Sequence, residues 1–572
     1  MKAQTKSINN ILVISIIALV LLCFSGIVGH DLWTPDEPRV AAISLEMANS
    51  GNIIIPHLAL EPFIEKPPLY FAVSAIMLHI FGPLIGNTPA LRLTSAFFGI
   101  GVLIFSFLIA KRFGNKETAL VSILILGTMV GFIQNFHWIR VDNALSFFII
   151  ASIWCFMEVY FENRAWLLIP AGVCTGMAFL CKGLIGPALI FVPWAGLVIY
   201  WILNFKKNKL KTLPWVGLHF LCLISFIITS GIWVVLLYYQ GGEKLWNDWF
   251  YINQIGRFTG NVNKGHLMPN DPLFYFAQLI VYGMPWTPLF LFWFIKNTIS
   301  TYKIKIINKE TLLFFVWGAG SIILLSIATT KRGIYLMPVM PAFAIMAGLS
   351  LRYIELGTLW KKLFTNFAAF WVTLCILFLL IIVFLPVIAG FAPEKISEHI
   401  VTVLMHPGYL NEIISLFSLL GLIIFLYIFR KQYSSHLKIV FATAMVFIAF
   451  FGLPSRAVDA EKSMQTEIKH FVSSISQTDR NKIAGLNFSE TMLGSIYYYT
   501  GWKVPQISGK TRIQSILKGK DKDYNFILVD DKDIRHTEQC VDLSIFNYKI
   551  IKHMLTRRHR RLLLIKGKQG EQ

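Results

Sequence analysis

Charged side chains are scarce in this chain. Asp, Glu, Lys and Arg together make up 15% of its 572 residues, whereas hydrophobic residues make up 55%. Soluble globular domains carry about 25% charged residues, so this composition excludes an ordinary soluble protein. Acidic residues are scarcer than basic residues, with 31 Asp and Glu against 52 Lys and Arg. The shortage of charge predicts a protein that crosses a membrane several times.

Cysteine is also rare, and its few copies follow no ligand or disulfide pattern. The chain has 7 cysteines and no C-x-x-C pair, and of the 7 only Cys540 lies outside the apolar runs. This excludes a disulfide framework and a cysteine-rich zinc site. An internal repeat is lacking as well, so a solenoid or another repeat architecture is not expected.

Long apolar runs, in contrast, recur along the chain. A helix needs about 20 mostly apolar residues to cross a bilayer, and about thirteen runs approach or exceed that length. The first run resembles a signal peptide, but no small-residue cleavage site precedes His30 and Asp31, so we interpret it as a helix. The predicted spans cover residues 11–29, 90–110, 118–135, 143–161, 166–181, 184–203, 213–238, 272–295, 311–329, 333–351, 363–390, 411–429 and 438–454.

The net charge of +21 follows from the predicted topology. Lys and Arg favour cytoplasmic loops, and an N-terminus on the inside makes five internal loops basic. This bias accounts for the charge without a nucleic-acid partner, and we expect none. Residues after about 455 then lie on the outer side. The five loops contain KRFGNK (111–116), KKNKLK (206–211), YKIKIINK (302–309), RYIELGTLWKK (352–362) and RKQYSSHLK (430–438).

Two outer loops and a C-terminal region complete the predicted organisation. In the first outer loop, 30–89, the pattern from Asp36 to Gly51 predicts a capped amphipathic helix at the interface, and 67–82 predicts a juxtamembrane or re-entrant segment. Residues 239–271 form the second large outer loop. Residues 455–572 alternate strand-like and helical patterns, which predicts a small α/β domain. The fold class is therefore an all-α polytopic membrane domain, 1–454, followed by an α/β domain.

Several basic residues at the predicted outer face are exceptions to the rule that Lys and Arg favour cytoplasmic loops, and carboxylates lie at the same face. Such residues are costly at membrane depth and indicate a functional site by default. A single Lys at a helix end is equally well explained as a snorkelling side chain, but the group together favours a site for an anionic substrate. The group comprises Asp36, Glu37, Arg39, Glu65, Lys66, Asp142, Lys182, Arg257, Lys331 and Arg332.

A series of motifs in this region resembles a known family. In the order found here, they resemble the GT-C-fold glycosyltransferases that use lipid-linked sugars, and among these the lipid A aminoarabinose transferases. Protein O-mannosyltransferases are more distant relatives in the same comparison. The motifs are DEPR (36–39), EKPPLYF (65–71), ALRLTSA (90–96), RVDNAL (140–145), CKGLIGPAL (181–189), GRFTG (256–260), GHLMPNDPLFYF (265–276), YGMPW (282–286) and TTKRGIYLMPVMPAFAI (329–345).

The resemblance implies a reaction and a location. The donor would be a sugar, such as 4-amino-4-deoxy-L-arabinose or another amino sugar, on undecaprenyl phosphate. The acceptor would be a lipid A phosphate or another lipid or glycan at the periplasmic face of a bacterial inner membrane. The C-terminal domain would also face the periplasm. Amino-sugar transfer to lipid A lowers the binding of antimicrobial peptides in this family.

The resemblance also suggests roles for the basic residues. The phosphate of the carrier gains charge as the glycosidic bond breaks, and Lys or Arg in a water-poor site stabilises that charge. Lys66 and Arg257 are the first candidates, and Lys331 and Lys182 are the next. Arg39, Glu65, Arg332 and Tyr335 complete the predicted substrate-binding residues.

Three carboxylates are the predicted catalytic residues, with Asp36 nearest the sugar and Glu37 and Asp142 behind it. A hydroxyl acceptor would need a general base, whereas a phosphate acceptor would not. Structural alternatives stay open: Asp36 caps its helix, Arg39 pairs only with Glu37, or Asp142 pairs locally with Arg140.

A metal is not required by this chemistry, because a monophosphate carrier has no diphosphate to bridge. The predicted outer loops also lack a D-x-D motif. Glu65 and His266 are the candidate ligands of a divalent cation if the fold brings them together. Where family members often carry a His before the RF pair, this chain has Asn253 and Gln254, which argues against a histidine-based site.

Two rival functions are kept. A protein O-mannosyltransferase-like enzyme would transfer its sugar to a hydroxyl and need Asp36 as a base. A lipid-sugar transporter would perform no chemistry, but transporters usually carry polar groups at the bilayer midplane and often show two similar halves. Here the polar residues cluster at one predicted face and the halves do not match.

Overall fold

The computed structural model describes residues 2–203, 213–256, 259, 271–304, 309–354, 358–390, 409–429, 435–530, 547–555 and 561–567. The chain divides into two compact units. The first unit contains Met1–Gly29, Ile64–Val73 and Arg92–Pro454. The second unit contains His30–Phe63, Ser74–Leu91 and Ser455–Gln572, so it combines most of the first predicted outer loop with the C-terminal region.

The first third of the chain is helical apart from one short hairpin. The hairpin strands, β1 and β2, are His57–Leu58 and Glu61–Pro62, and they pair antiparallel. The helices are α1 Lys2–Phe24, α2 Asp36–Ser50, α3 Leu69–Ile85, α4 Asn87–Phe113, α5 Lys116–Gly127, α6 Val130–Phe136, α7 Val141–Glu162, α8 Leu168–Lys182 and α9 Ile185–Leu203.

The described residues between 213 and 462 are mostly helical. Among them, two π-helical segments, Asp248–Gly256 and Val316–Gly320, and one 3₁₀ segment, Gly333–Val339, lie between the helices. The helices are α10 Leu213–Asn247, α11 Phe274–Tyr282, α12 Thr287–Ile304, α13 Lys309–Phe315, α14 Ser321–Ile327, α15 Met340–Ile354, α16 Thr358–Gly390, α17 Tyr409–Ile428 and α18 Ser435–Lys462.

The apolar helices make the chain a multi-pass membrane protein. Among the described residues, 8 helices are long and apolar enough to cross a membrane, or up to 10 if each of two bent pairs is one span. The remaining predicted spans fall on shorter apolar helices, Leu12–Phe24, Leu312–Ile327 and Ile413–Ile428. Every predicted span thus lies on apolar helix, and the total of about thirteen crossings stays a prediction.

The two bent pairs are joined to each other at their bends. α5 and α6 meet at 64°, and α11 and α12 meet at 119°. The backbone N–H of Val130 donates to the carbonyl of Met284 at 3.0 Å, and the indole of the fully buried Trp286 donates to Thr128 Oγ1 at 3.0 Å. Polar groups at each bend therefore find hydrogen-bond partners at the other bend, as buried backbone groups require.

α8 and α10 approach closely because a glycine lies between them. A Cβ at Gly172 would collide with the side chain of Ser225 and the carbonyl of Cys222. Small residues commonly permit such close packing of helices in membranes. This contact fixes α8, whose last residue is Lys182.

Helix α2, in the second unit, begins and ends where the sequence predicts. It covers Asp36–Ser50, and Gly51 terminates it in the left-handed conformation at φ 69°. Its surroundings differ from the prediction of an amphipathic interfacial helix: Val40 and Ile43, but also Glu37, Ser44 and Glu46, are buried, because the helix packs against residues of the C-terminal region.

The C-terminal part of the second unit is an α/β domain, as predicted. Its sheet has the order β3-β4-β6-β5, with β3 and β4 parallel and the other pairs antiparallel. Ile513, Ile516, Ile527 and Ile565 form the centre of its core. The strands are β3 Ile483–Leu486, β4 Phe526–Asp530, β5 Tyr548–Leu555 and β6 Arg561–Gly567, and the helices are α19 Gln465–Ser473, α20 Gln477–Arg480, α21 Glu490–Thr500 and α22 Lys510–Leu517.

Candidate functional site

A buried ion pair joins Asp142 and Lys182 in the first unit. Lys182 Nζ bonds to Asp142 Oδ1, and the two side chains are only 14% and 8% exposed. Asp142 lies in the first turn of α7 and Lys182 is the last residue of α8. A helix N-terminus favours a carboxylate and a C-terminus favours a cation, so both helices stabilise the pair. The alternative in which Asp142 pairs locally with Arg140 is wrong, because Asp142 pairs with Lys182 and Arg140 donates to Asn135 Oδ1.

Lys182 also faces an aromatic ring. Its Nζ lies 3.9 Å from the ring centroid of Tyr335, within the distance of a cation–π contact. Tyr335 belongs to the 3₁₀ segment Gly333–Val339, which packs against α7. The structure therefore brings together three predicted site residues, Asp142, Lys182 and Tyr335.

Two further cations directly precede the 3₁₀ segment that carries Tyr335. Lys331 is buried, and its Nζ donates to the carbonyl of Ala328 at 3.0 Å. The backbone N–H of Arg332 donates to the hydroxyl of Tyr275 at 3.4 Å, and the carbonyl of Arg332 accepts from the N–H of Tyr335 at 3.1 Å. We call Asp142, Lys182, Lys331, Arg332 and Tyr335 the lysine cluster.

Gln254 contacts the turn that follows Lys182. Its Oε1 accepts a hydrogen bond from the backbone N–H of Leu184 at 3.2 Å, and its side chain occupies the space beside Gly183. Gly183 has φ 72°, a conformation that favours glycine. From the sequence, Gln254 is recognised only as a departure from the family histidine. Its place three residues before Arg257 was the signal that could have identified it.

Glu65 and Lys66, also in the first unit, lie near each other. Lys66 Nζ is 3.8 Å from Glu65 Oε1, and the two side chains are 13% and 14% exposed. This is a loose ion pair, longer than a hydrogen bond. It keeps a cation and a carboxylate together in the EKPP motif.

The DEPR motif at the start of α2 forms the second charged group. Glu37 is fully buried, and its Oε2 accepts from the backbone N–H of Trp33 at 2.7 Å. Arg39 lies 3.2 Å from Asp36 Oδ1 and also pairs with Glu490. The alternative in which Arg39 pairs only with Glu37 is therefore wrong. We call Asp36, Glu37, Arg39 and Glu490 the DEPR cluster.

Asp36 does not cap its helix. The N-cap position is occupied by Pro35, and no side-chain capping hydrogen bond is made there. Asp36 is the first residue of α2 and is 7% exposed. Its carboxylate therefore benefits from the helix N-terminus while it pairs with Arg39.

The predicted cation site is only partly described. Within the described ranges, no group of three or more His, Cys, Asp or Glu side chains is arranged to hold a metal ion. His266 and Arg257 lie outside those ranges. Glu65 is the one predicted ligand whose place is described, so the proposed Glu65–His266 cation site stays a prediction.

Comparisons with known proteins find similar sequences among glycosyltransferases. The model of the dolichyl-phosphate-mannose-protein mannosyltransferase family matches residues 10–251. An undecaprenyl phosphate-alpha-4-amino-4-deoxy-L-arabinose arabinosyl transferase from Photorhabdus laumondii is 27% identical over 324 residues, 56% of this chain and 55% of its own. An uncharacterized protein from Aquifex aeolicus is 27% identical over 336 residues, 58% of this chain and 62% of its own. The matches thus span less than two thirds of these relatives.

Solved structures extend the likeness to the whole fold. ArnT from Cupriavidus metallidurans bound to undecaprenyl phosphate aligns with a TM-score of 0.70 at 17% identity, covering 99% of this chain and 100% of that one. The apo form of the same protein aligns with a TM-score of 0.69 at 16% identity. At such identity the likeness shows the fold.

The membrane helices and the α/β domain define a polytopic membrane protein with the GT-C fold. Within that class, the chain resembles the undecaprenyl phosphate-aminoarabinose arabinosyl transferases in sequence, and it shares the fold of ArnT, as its motifs predicted. The predicted resemblance is therefore confirmed.

Proposed function

We propose that the protein is an integral-membrane glycosyltransferase that takes an amino sugar from undecaprenyl phosphate. The preferred sugar is 4-amino-4-deoxy-L-arabinose, and the preferred acceptor is a phosphate of lipid A at the periplasmic face of a bacterial inner membrane. The names of the sequence relatives support the donor and the sugar. The fold shared with an ArnT that was solved with undecaprenyl phosphate supports the carrier.

The observation that carries the proposal is the burial of two lysines in the lysine cluster. Lys182 and Lys331 are largely buried, Lys182 pairs with the carboxylate of Asp142, and Lys331 Nζ donates to the carbonyl of Ala328. Burying a cation is costly, and an added anion offsets part of that cost. The phosphate of a polyprenyl carrier is such an anion, and it gains charge when its bond to the sugar breaks.

The proposed reaction balances without an added base. The bond between the anomeric carbon and the carrier phosphate oxygen breaks, and its electron pair leaves with undecaprenyl phosphate. An oxygen of the lipid A phosphate forms the new bond to the anomeric carbon. Because that oxygen is already anionic, no proton must be removed. Asp36 would then stabilise positive charge on the sugar or pair with its amine, and Arg39 would organise the acceptor.

A hydroxyl acceptor is the second candidate, supported by the mannosyltransferase family model. In that reaction the acceptor proton must move to a base, and Asp36 would take it. Protonation of Asp36 should slow both reactions, but the two products differ chemically. A phosphate acceptor gives a glycosyl phosphate that mild acid cleaves, whereas a hydroxyl acceptor gives a glycoside that survives mild acid. Mild acid treatment of the labelled product therefore separates them.

The first test is mass spectrometry of lipid A from a null strain that expresses the wild-type chain or single variants at equal membrane levels. We expect a pentosamine increment on lipid A with the wild-type chain and its loss with Asp36→Ala and Lys66→Ala. Lys361→Ala is the matched control, because Lys361 is an exposed helix residue far in sequence from both clusters. Unchanged lipid A in every strain would refute the acceptor and direct the search to glycoproteins and surface polysaccharide.

Metal dependence is tested separately with the purified protein. The proposal requires no divalent cation, so activity should survive exhaustive treatment with EDTA. Glu65→Gln and His266→Ala should then act independently of added metal. Loss of activity on chelation, restored by one divalent ion and abolished by either substitution, would instead establish the Glu65–His266 cation site.

A further inference from the structure

We propose that the C-terminal α/β domain positions Asp36 through helix α21, with Glu490, Thr491 and Gly494 as positioning residues. This inference rests on the proposed function, because it concerns how the candidate carboxylate is held. It assigns a role in transfer to a part of the chain that carries none of the predicted site residues.

Arg39 is the link between the two segments. Its guanidinium pairs with Asp36 Oδ1 at 3.2 Å and, through its other terminal nitrogen, with Glu490. The Arg39 side chain is 13% exposed, whereas that of Glu490 is 49% exposed. An arginine that binds two carboxylates at once has a fixed plane, because its donors form a rigid fork. Glu490 therefore fixes the direction from which Arg39 approaches Asp36.

The backbone around Asp36 is also held by α21. Thr491 Oγ1 donates to the carbonyl of Pro35, the residue before Asp36, at 3.0 Å. A Cβ at Gly494 would lie 2.9 Å from the Cα of Arg39 and 3.0 Å from the carbonyl of Pro38. Only glycine permits this approach without a shift of one helix. Contacts on consecutive turns of α21 thus fix the first turn of α2.

The start of α21 is anchored to the sheet of its own domain. Ser489 caps the helix by accepting from the N–H of Met492 at 3.3 Å. Asp530, the last residue of β4, accepts from the N–H of Ser489 at 3.1 Å and from its hydroxyl at 2.8 Å. A continuous path of polar contacts therefore runs from β4 through Ser489, Glu490 and Arg39 to Asp36.

A purely stabilising contact between α2 and α21 would give a different experimental result. Loss of stability would change the amount of folded protein and leave the turnover of each folded molecule unchanged. Loss of positioning would lower kcat, because small misplacements of a catalytic group strongly reduce the rate. The Michaelis constant for the donor should stay the same, because the cations proposed to bind its phosphate lie elsewhere in the sequence.

The test is steady-state kinetics of the full-length protein in detergent, with undecaprenyl-phosphate aminoarabinose and lipid A as substrates. We expect Glu490→Gln to lower kcat about tenfold with an unchanged donor KM and an unchanged Tm. Gly494→Ala should lower kcat too, but it should also lower Tm, because its Cβ collides with the backbone of α2. Glu490→Asp, which keeps the charge, should recover part of the loss. Glu467→Gln is the matched control, because this carboxylate lies in α19 of the same domain and makes no ion pair among the described residues.

Hydrogen exchange of the segment 33–44 gives a readout that needs no substrate. We expect Glu490→Gln and Gly494→Ala to increase exchange in the first turn of α2, and Glu467→Gln to leave it unchanged. An unchanged kcat and unchanged exchange in a folded Glu490→Gln protein would overturn the inference. A fall in the kcat of this variant that only follows a fall in its Tm would overturn it too. If the wild-type chain shows no transfer, the proposed function fails, and the exchange data still decide whether α21 holds Asp36.

Discussion

The lysine cluster and the DEPR cluster differ in their charged contacts. The first contains two buried lysines, of which Lys182 pairs with one carboxylate, Asp142, whereas in the second one arginine, Arg39, pairs with two carboxylates, Asp36 and Glu490. A phosphate leaving group needs the first kind of environment, and an amino sugar with positive charge at its anomeric carbon needs the second. Under the proposed function, the two charges of the reaction would therefore be stabilised by two different sets of residues.

The two clusters are also built differently. The lysine cluster uses a helix C-terminus, a helix N-terminus and an aromatic ring, all in the first unit. The DEPR cluster uses a backbone N–H and an arginine shared with Glu490, which is 451 residues away from Arg39 in sequence. Substitutions in the C-terminal domain should therefore affect the DEPR cluster and leave the lysine cluster intact.

The largest effect that separates the clusters is expected from Asp36→Asn. Removing this charge should lower kcat about 100-fold or more, as measured for single electrostatic groups in other active sites. The donor KM should change little, because the carrier phosphate is assigned to the lysine cluster. Rapid-quench and steady-state kinetics with purified protein give both constants. A raised donor KM with normal kcat would contradict the assignment of the carrier phosphate to the lysine cluster and of the sugar to Asp36. Glu243→Gln, an exposed carboxylate of the first unit, serves as the control.

A smaller but distinct effect is expected from Lys182→Met. This change leaves Asp142 buried without its cation, which should destabilise the first unit by about 3 kcal/mol. The double variant Lys182→Met with Asp142→Asn should recover much of that stability while it stays inactive. Thermal unfolding of detergent-solubilised protein measures each variant. If the single and double variants unfold at the same temperature, the ion pair does not stabilise the unit.

The Glu46–Lys503 pair in the second unit offers the next test. Lys503 Nζ lies 2.8 Å from Glu46 Oε1, and the Glu46 side chain is 6% exposed whereas that of Lys503 is 40% exposed. Lys503→Met should cost about 1–3 kcal/mol, because it leaves a buried carboxylate without its partner. Glu46→Gln should cost less, because an exposed lysine is solvated by water. Chemical unfolding followed by the fluorescence of the C-terminal domain compares them. Equal losses would show that burial of Glu46 does not matter.

The same pair gives the smallest effect, a pH dependence. The hydrogen bond to Glu46 raises the pKa of Lys503 above its ordinary 10.5. The stabilisation is therefore complete below about pH 10 and is lost as pH rises through the higher folded-state pKa. Because Lys503 is well exposed, the change should stay below about 1 kcal/mol. Unfolding measured between pH 9 and 11.5 should show this loss in the wild-type protein but not in Glu46→Gln.

The sequence predicted the elements whose pattern is local. The predicted spans lie on apolar helices, and α2 ends at Gly51 because only a residue that tolerates positive φ continues the chain there. Strand β5 is not predictable in the same way. Its segment, YKIIKHML, lies at the sheet edge with both faces largely exposed, so it lacks the alternation on which strand prediction relies.

The partners of the site residues were not predictable in the same way. Asp142 with Lys182, and Arg39 with Glu490, are contacts between distant segments, and composition or spacing carries no information about them. The bends between α5 and α6 and between α11 and α12 could not be predicted from the sequence for a related reason. The apolar run continues through each bend, so hydropathy alone suggests a straight span.

In the described part of the C-terminal sheet, strand β5 forms one edge and exposes Ile550, Ile551 and Leu555. An exposed edge with apolar side chains can pair with a strand of another molecule. The irregular register between Ile550 and Lys552 breaks the row of hydrogen-bonding groups, and Lys549 and Lys552 add like charges along it. Both features make this edge a poor template for such pairing.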